Sequence, residues 1–143
     1  MIFDAQNLFS DAQAITAAAA STNIIDLGSA RNIGVGENLF VVVTIDTTFA
    51  DTGSNSTLTV ALEGDSSDSF TPDGTQQLFI IPALAAAGSK YVARISPDFA
   101  SNYRYIRLYY TPNNGDLSAG AVTAFICHDA DLQKHYPKGY TIS

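Results

Sequence analysis

Three side chains near the end of the chain are of the types that bind transition metals or act as nucleophile and base. They are Cys127, His128 and His135, and Cys127 is the only cysteine. A structural zinc site takes about four ligands with short paired spacings. Cys127 and His128 are adjacent, so on a strand they point to opposite faces. We therefore expect a buried thiol beside a surface imidazole, with no metal and no cofactor. A Ser-His-Asp triad remains open on composition, but no nucleophile-elbow motif accompanies it.

The segment "FADTGSNS" contains Asp51-Thr52-Gly53-Ser54, which looks like the active-site loop of aspartic proteases. Those enzymes place two such aspartates together so that one shares the proton of the other. The chain has a single copy, and the hydrophobic-hydrophobic-Gly-Arg segment that accompanies it is missing. The same residues are ordinary in a hairpin loop between two strands. We interpret the segment as a turn and expect that the protein is not an enzyme. In the alternative, an aspartic-protease-like enzyme, Asp51 would be the catalytic residue.

An acidic loop, "GDSSDSFTPDG", holds Asp65, Asp68 and Asp73 among several hydroxyl groups. Oxygen ligands of this kind suit calcium, but the spacing and the terminal Glu of an EF-hand are absent. We expect a solvated loop, and calcium binding is the alternative.

The segment "NYRYIRLYYT" has the composition of a binding surface. On a strand, Tyr103, Tyr105, Arg107 and Tyr109 share one face. The other face carries Arg104, Ile106, Leu108 and Tyr110. Tyrosine and arginine are enriched among the residues that dominate the energy of protein interfaces. They also stack on bases or sugars, and strands in a sandwich bury tyrosine routinely. The pattern leaves three alternatives open: core, protein interface and ligand platform.

The elements that must position these residues are short strands. Runs rich in Val, Ile, Thr, Tyr and Phe recur between turn signals; they are "NIIDLG", "LFVVVTID", "STLTVALEG", "QLFIIP", "KYVARIS", "RYIRLYYTP" and "AVTAFICHD". Alternation is clearest in "TLTVALE", where Leu58, Val60 and Leu62 point one way. The best helix candidates, 16–20 and 83–87, are short. The chain is predicted to be an all-β, single-domain, jelly-roll-like β-sandwich.

Composition restricts the partners. The chain has 143 residues, of which 15% are charged, and a formal net charge of −7. Binding to nucleic acid needs clustered Lys and Arg, so no nucleic-acid partner is expected. No apolar run reaches the length of a membrane span, and the N-terminal residues lack a secretory signal pattern. We expect synthesis in a cytoplasm and no membrane partner. A surface with so few charged side chains is of the kind that neighbouring proteins cover.

The first residues are unusually apolar for a soluble protein. Ile2, Phe3, Leu8 and Phe9 exceed what one small sandwich easily buries, so we expect them to contact another subunit. We divide the chain into an N-terminal arm or first strand at 1–22, a β-sandwich at 23–128 and a C-terminal tail at 129–143.

Five blocks of the sequence together resemble the small capsid cement, or decoration, proteins of tailed bacteriophages. The blocks are "LFSDAQAIT", "STNIIDLGSARNIGVGENLFVVV", "STLTVALEGDSSDSF", "YRYIRLYYT" and "SAGAVTAFI". They occur in the same order and with similar gaps up to about Ile126. The tail that follows extends beyond this pattern.

The resemblance implies a jelly-roll module that forms a homodimer or homotrimer on the outer surface of a virion. There it would bridge neighbouring major capsid proteins and stabilise the head against internal pressure. The contact regions that it implies are the N-terminal segment and the tyrosine–arginine strand. A carbohydrate-binding or host-binding jelly roll of a phage fibre is the alternative.

Overall fold

The computed structural model describes residues 7–28, 39–96, 99 and 103–127. Within these residues the chain forms nine strands. They are β1 (Leu8–Ala14), β2 (Ala19–Ala20), β3 (Ile25–Asp26), β4 (Phe40–Ala50), β5 (Thr57–Asp65), β6 (Gly74–Ile81), β7 (Lys90–Arg94), β8 (Tyr105–Asn113) and β9 (Ala119–Cys127). No helix among the described residues is long and apolar enough to cross a membrane.

The strands form two antiparallel sheets. The first sheet has the order β1-β9-β4-β7, and the second has the order β2-β8-β5-β6 with β3 also paired to β8. This arrangement confirms the prediction of an all-β sandwich, and the jelly-roll topology stays a prediction. The two helix candidates are wrong, since 19–20 form β2 and 83–87 lie in the turns that join β6 to β7.

The core lies between the sheets and is built by alternation along the strands. On β5, Leu58, Val60 and Leu62 are fully buried, as the pattern predicted. The central strand β4 is buried on both faces, because Val41, Val42 and Val43 are all 0% exposed. β4 pairs with β9 on one edge and with β7 on the other, and an apolar run without alternation is typical of a strand that is covered on both faces.

The N-terminal strand β1 belongs to this core, which corrects one sequence expectation. The register of β1 against β9 shifts on both sides of Ser10. A bulge of this kind lets two successive residues face the same side, and Phe9 and Ser10 are both 0% exposed. Phe9 therefore packs in the core of its own chain and is not available to a neighbouring subunit. Leu8 is half-buried, and Ile2 and Phe3 lie outside the described residues.

A buried polar network ties β1 to the second sheet. The hydroxyl of Tyr110 lies 2.8 Å from Ser10 Oγ, which donates in turn to Gln13 Oε1 at 2.7 Å. Gln13 also accepts from the backbone of Thr22 and donates to the carbonyl of Ala20. Burial raises the pKa of Tyr110 well above its ordinary value, and the bond to Ser10 partly offsets this. Burial therefore keeps the phenol neutral, and the network links the two sheets.

Replacing Ser10→Ala should lower the free energy of unfolding by about 1–3 kcal/mol, because the hydroxyl of Tyr110 would stay buried without a partner. Tyr110→Phe removes the donor instead and should cost about 0.5–1.5 kcal/mol. Denaturant unfolding of both variants and of the double variant measures the coupling. Additive effects in the double variant would contradict the network.

Candidate protein-interaction surface

The outer face of the second sheet carries most of the tyrosine–arginine pattern. β8 pairs with β5 so that Tyr105, Arg107 and Tyr109 face Asp65, Glu63 and Ala61. The alternate residues Ile106 and Leu108 are buried in the core, so this set points away from it. We call Tyr105, Arg107, Tyr109 and Glu63 the tyrosine–arginine face.

Arg107 lies at the centre of this face, and its side chain contacts Glu63, Phe70 and Tyr109. Its Nε lies 2.8 Å from Glu63 Oε2, and the two side chains are 17% and 12% exposed. Its guanidinium carbon lies 4.1 Å from the ring centre of Phe70 and 5.8 Å from that of Tyr109. An ion pair combined with aromatic stacking restricts the long side chain. The face is thus preorganised before any partner arrives.

A second ion pair borders the face at the start of β8. Arg104 donates two hydrogen bonds to the carboxylate of Asp26, at 2.9 and 3.1 Å, and lies 4.9 Å from the ring centre of Tyr105. The hydrogen bond from Arg104, together with that from the backbone of Gly28, lowers the pKa of Asp26. The side chains of Arg104 and Asp26 are 44% and 46% exposed, so the pair adds little stability. Its effect is to fix β3 beside Tyr105.

Sequence alternation predicted that Tyr103 lies on the tyrosine–arginine face. This prediction is wrong, because Tyr103 packs against the core. β8 begins at Tyr105, so the two-residue period does not extend back to Tyr103. Its ring lies 5.0 Å from that of Phe99 and packs against the core. The space that it fills exists because Gly64 and Gly74, which pair across β5 and β6, have no side chains.

Gly64→Ala should destabilise the fold by about 1–3 kcal/mol, because the new methyl group overlaps the Tyr103 ring and forces it to move. The second substitution Tyr103→Ala makes room for the methyl group. The double variant should therefore lose less stability than the sum of the two single variants in denaturant unfolding. Full additivity would show that the ring does not occupy this position.

Two contact residues of the face were missed by sequence reasoning. Alternation in "TLTVALE" predicts that Glu63 points away from the core. It does not predict that β5 pairs with β8, which places Glu63 beside Arg107. Phe70 belongs to the loop between β5 and β6, where no periodic pattern exists. Both residues join the face only because the β5–β8 register and the fold-back of this loop bring them to Arg107.

Asp51 holds the loop between β4 and β5. Its Oδ2 accepts hydrogen bonds from the backbone of Asn55 and from the backbone and hydroxyl of Ser56, at 3.1–3.3 Å. Its Oδ1 is shielded from solvent and accepts no hydrogen bond from the described residues. Lost hydration raises the pKa of Asp51, but the bonds from Asn55 and Ser56 outweigh it and lower the pKa overall.

A lowered pKa in the folded state means that ionised Asp51 stabilises the fold above its unfolded pKa, which is about 3.9. This stabilisation is lost as the pH falls through the folded value. Wild type should therefore exceed Asp51→Asn in unfolding free energy at neutral pH, and the gap should close in acid. The measurement is denaturant unfolding across pH.

Asp116→Asn is the matched control for that series. It removes an equal charge from the neighbouring loop, whose Asn114 carbonyl oxygen lies 3.4 Å from Ser56 Oγ. A pH-independent gap for Asp51→Asn, or the same pH dependence for the control, would contradict the assignment.

The acidic loop uses its first carboxylate in the same way. Asp65 accepts from the backbones of Ser67 and Thr71, at 2.8 and 2.6 Å. Ser66 Oγ lies 3.3 Å from a carboxylate oxygen of Asp73. In the part of the chain that the structure describes, no group of three or more His, Cys, Asp or Glu side chains could hold a metal ion.

The cysteine and histidine candidates are only partly described. Cys127 ends β9 and is half-buried, facing Phe40 across the first sheet. His128 and His135 lie outside the described residues.

Comparisons with known proteins identify a family. The model of the Bbp16 family matches residues 9–126. A solved structure, the "Structure of infectious bursal disease virus Gx strain", matches with a TM-score of 0.41 and 13% identity, over 85% of this chain and 31% of that chain. This chain thus spans about a third of that one. No curated protein matches.

Proposed function

The chain belongs to the Bbp16 family, and from that premise we propose that it is a structural protein of a virus particle. In this proposal it binds the outer surface of a phage head as a homo-oligomer. It cements neighbouring major capsid proteins without covalent bonds and so stabilises the head against internal pressure. The resemblance of five sequence blocks to phage cement proteins supports this function.

The observation that carries the proposal is the tyrosine–arginine face. It combines the residue types that dominate protein interfaces on the rigid surface of a sheet. Arg107 is already paired with Glu63 and stacked on Phe70, so docking costs little side-chain entropy. A face prepared in this way suits a fixed and repeated partner surface.

Charge favours a protein partner over a nucleic acid. Glu63 neutralises Arg107, and Asp26 neutralises Arg104, so each arginine near the face has an acidic partner. The whole chain carries a formal net charge of −7. Attraction to phosphates depends on clustered cations without such partners. The paired charges instead leave hydrogen-bond donors and aromatic area for polar, specific contacts.

Repetition explains how a modest surface retains such a protein on a head. Each large apolar side chain buried at a contact contributes about 1.5–3 kcal/mol. An oligomer that contacts several neighbouring subunits at once gains avidity beyond its single-site affinity. The cement would then oppose outward pressure by cross-linking subunits of the shell.

A second candidate function is carbohydrate or host binding by a fibre-type module. It is favoured by Tyr105 and Tyr109, which flank the Arg107–Glu63 pair on the outer face of the second sheet. Sugar sites combine aromatic platforms with polar groups in this manner. Binding on a glycan array, with no binding to heads, would support this function and overturn the first.

Arg107→Ala with Tyr109→Ala should abolish most binding to phage heads that lack this protein. We expect at least a tenfold loss of affinity in co-sedimentation, as for interface residues that contribute about 1.4 kcal/mol or more. Arg94→Ala is the control, since it removes an exposed arginine from β7 of the first sheet.

Melting curves of both variants separate binding from folding. The control should retain both binding and the melting temperature of the wild type. Wild-type binding by the Arg107 and Tyr109 variant would overturn the assignment of this face.

A further inference from the structure

The loop between β8 and β9 contains the dipeptide Asn114-Gly115, whose two residue types favour spontaneous loss of the side-chain amide. Asparagine is one of the heat-labile residues of proteins, because the backbone nitrogen of the next residue can attack its side-chain carbonyl carbon. Glycine offers the least steric resistance to this attack, since it has no Cβ. Asn114 is the only asparagine of the sequence that a glycine follows.

The loop leaves both partners of such an attack accessible. Asn114 and Gly115 are exposed, with φ angles of 66° and 111°. Apart from its chain neighbours, a Cβ built on Gly115 would have only Ser56 Oγ within 4 Å, at 3.8 Å. In the described part of the chain, the N–H of Gly115 donates to no backbone carbonyl. The nitrogen can therefore approach the side chain of Asn114 without breaking a backbone hydrogen bond.

The facing loop between β4 and β5 offers a comparison, because there Asn55 is also followed by a small residue. The N–H of Ser56 donates to Asp51 Oδ2 at 3.3 Å, and Ser56 is 1% exposed. This nitrogen is bonded to a carboxylate and has little room to turn towards the side chain of Asn55. The two loops thus differ in whether the attacking nitrogen is held.

We propose that Asn114 is a site of spontaneous deamidation in the folded protein. The nitrogen of Gly115 forms a bond to Asn114 Cγ and gives up its proton, the bond from Cγ to Nδ2 breaks, and the amide leaves as ammonia. The product is a five-membered succinimide. Water then adds to either carbonyl of this ring and opens it to aspartate or to isoaspartate, in which the main chain runs through Cγ.

Deamidation would change the contact between the two loops. Asn114 Nδ2 donates to the carbonyl of Asn55 at 3.3 Å. A carboxylate has no N–H to donate, so its oxygen would face that carbonyl without a hydrogen bond. The hydroxyl of Ser56 lies 3.4 Å from the Asn114 carbonyl oxygen and donates to Asp51 at 3.1 Å, so the new charge would lie near an existing one. The modification should therefore weaken the link between these loops.

Peptide mapping by mass spectrometry of the purified full chain, incubated in neutral buffer, tests the site. Deamidation at Asn114 should be roughly tenfold faster than at Asn55, or more, and fragmentation should find both aspartate and isoaspartate. Asn114→Gln is the matched variant: it keeps an amide, but its longer side chain cannot close a five-membered ring, so modification at position 114 should be lost.

The synthetic peptide PNNGDLS, incubated in parallel, shows the reaction without the fold. An intact Asn114 in the folded chain, while the peptide is modified, would overturn the proposal. So would deamidation at Asn55 that is as fast as at Asn114.

Denaturant unfolding of Asn114→Asp measures the consequence for the loops. This variant carries the carboxylate of the aspartate product and should raise the unfolding equilibrium constant roughly threefold, as expected for one lost hydrogen bond. Ser118→Asp is the control, since it adds the same charge at an exposed position of the same loop. Wild-type stability of Asn114→Asp, or an equal loss in the control, would contradict the weakened contact.

Discussion

Antiparallel pairing of β5 with β8 determines both the core and the outer surface of the second sheet. Its register sets Leu62 opposite Leu108 and Glu63 opposite Arg107. Because successive residues face opposite sides, the buried leucines and the outward-facing, mostly buried ion pair follow from the same alignment. A slip of one residue would expose the leucines and carry Arg107 into the core. An unpaired guanidinium there would cost several kcal/mol, so core and face both stabilise one register.

The positions of the strands were predictable from sequence, whereas their partners were not. Runs of β-branched and aromatic residues between turn signals anticipated β4 to β9, and alternation on β5 identified its buried side. Glu63 and Arg107 are 44 positions apart, and no period within one run reports on such a pairing. The failures at Phe9 and Tyr103 have different origins. Phe9 was assigned to another subunit because the first residues are so apolar, whereas β1 pairs with β9 and buries Phe9 in its own core. Tyr103 was assigned by alternation, but it precedes the first residue of its strand.

The carboxylates that most resembled catalytic or metal ligands hold loops in place. Asp51 and Asp65 each accept backbone N–H groups at points where the chain leaves or enters the second sheet. A buried or half-buried N–H without a partner is costly, and a short acidic side chain satisfies several at once. The same local sequence serves a turn or an active site, so the distinction depends on which donors the fold brings near. The tyrosine–arginine face differs because its groups converge from β5, β8 and a loop.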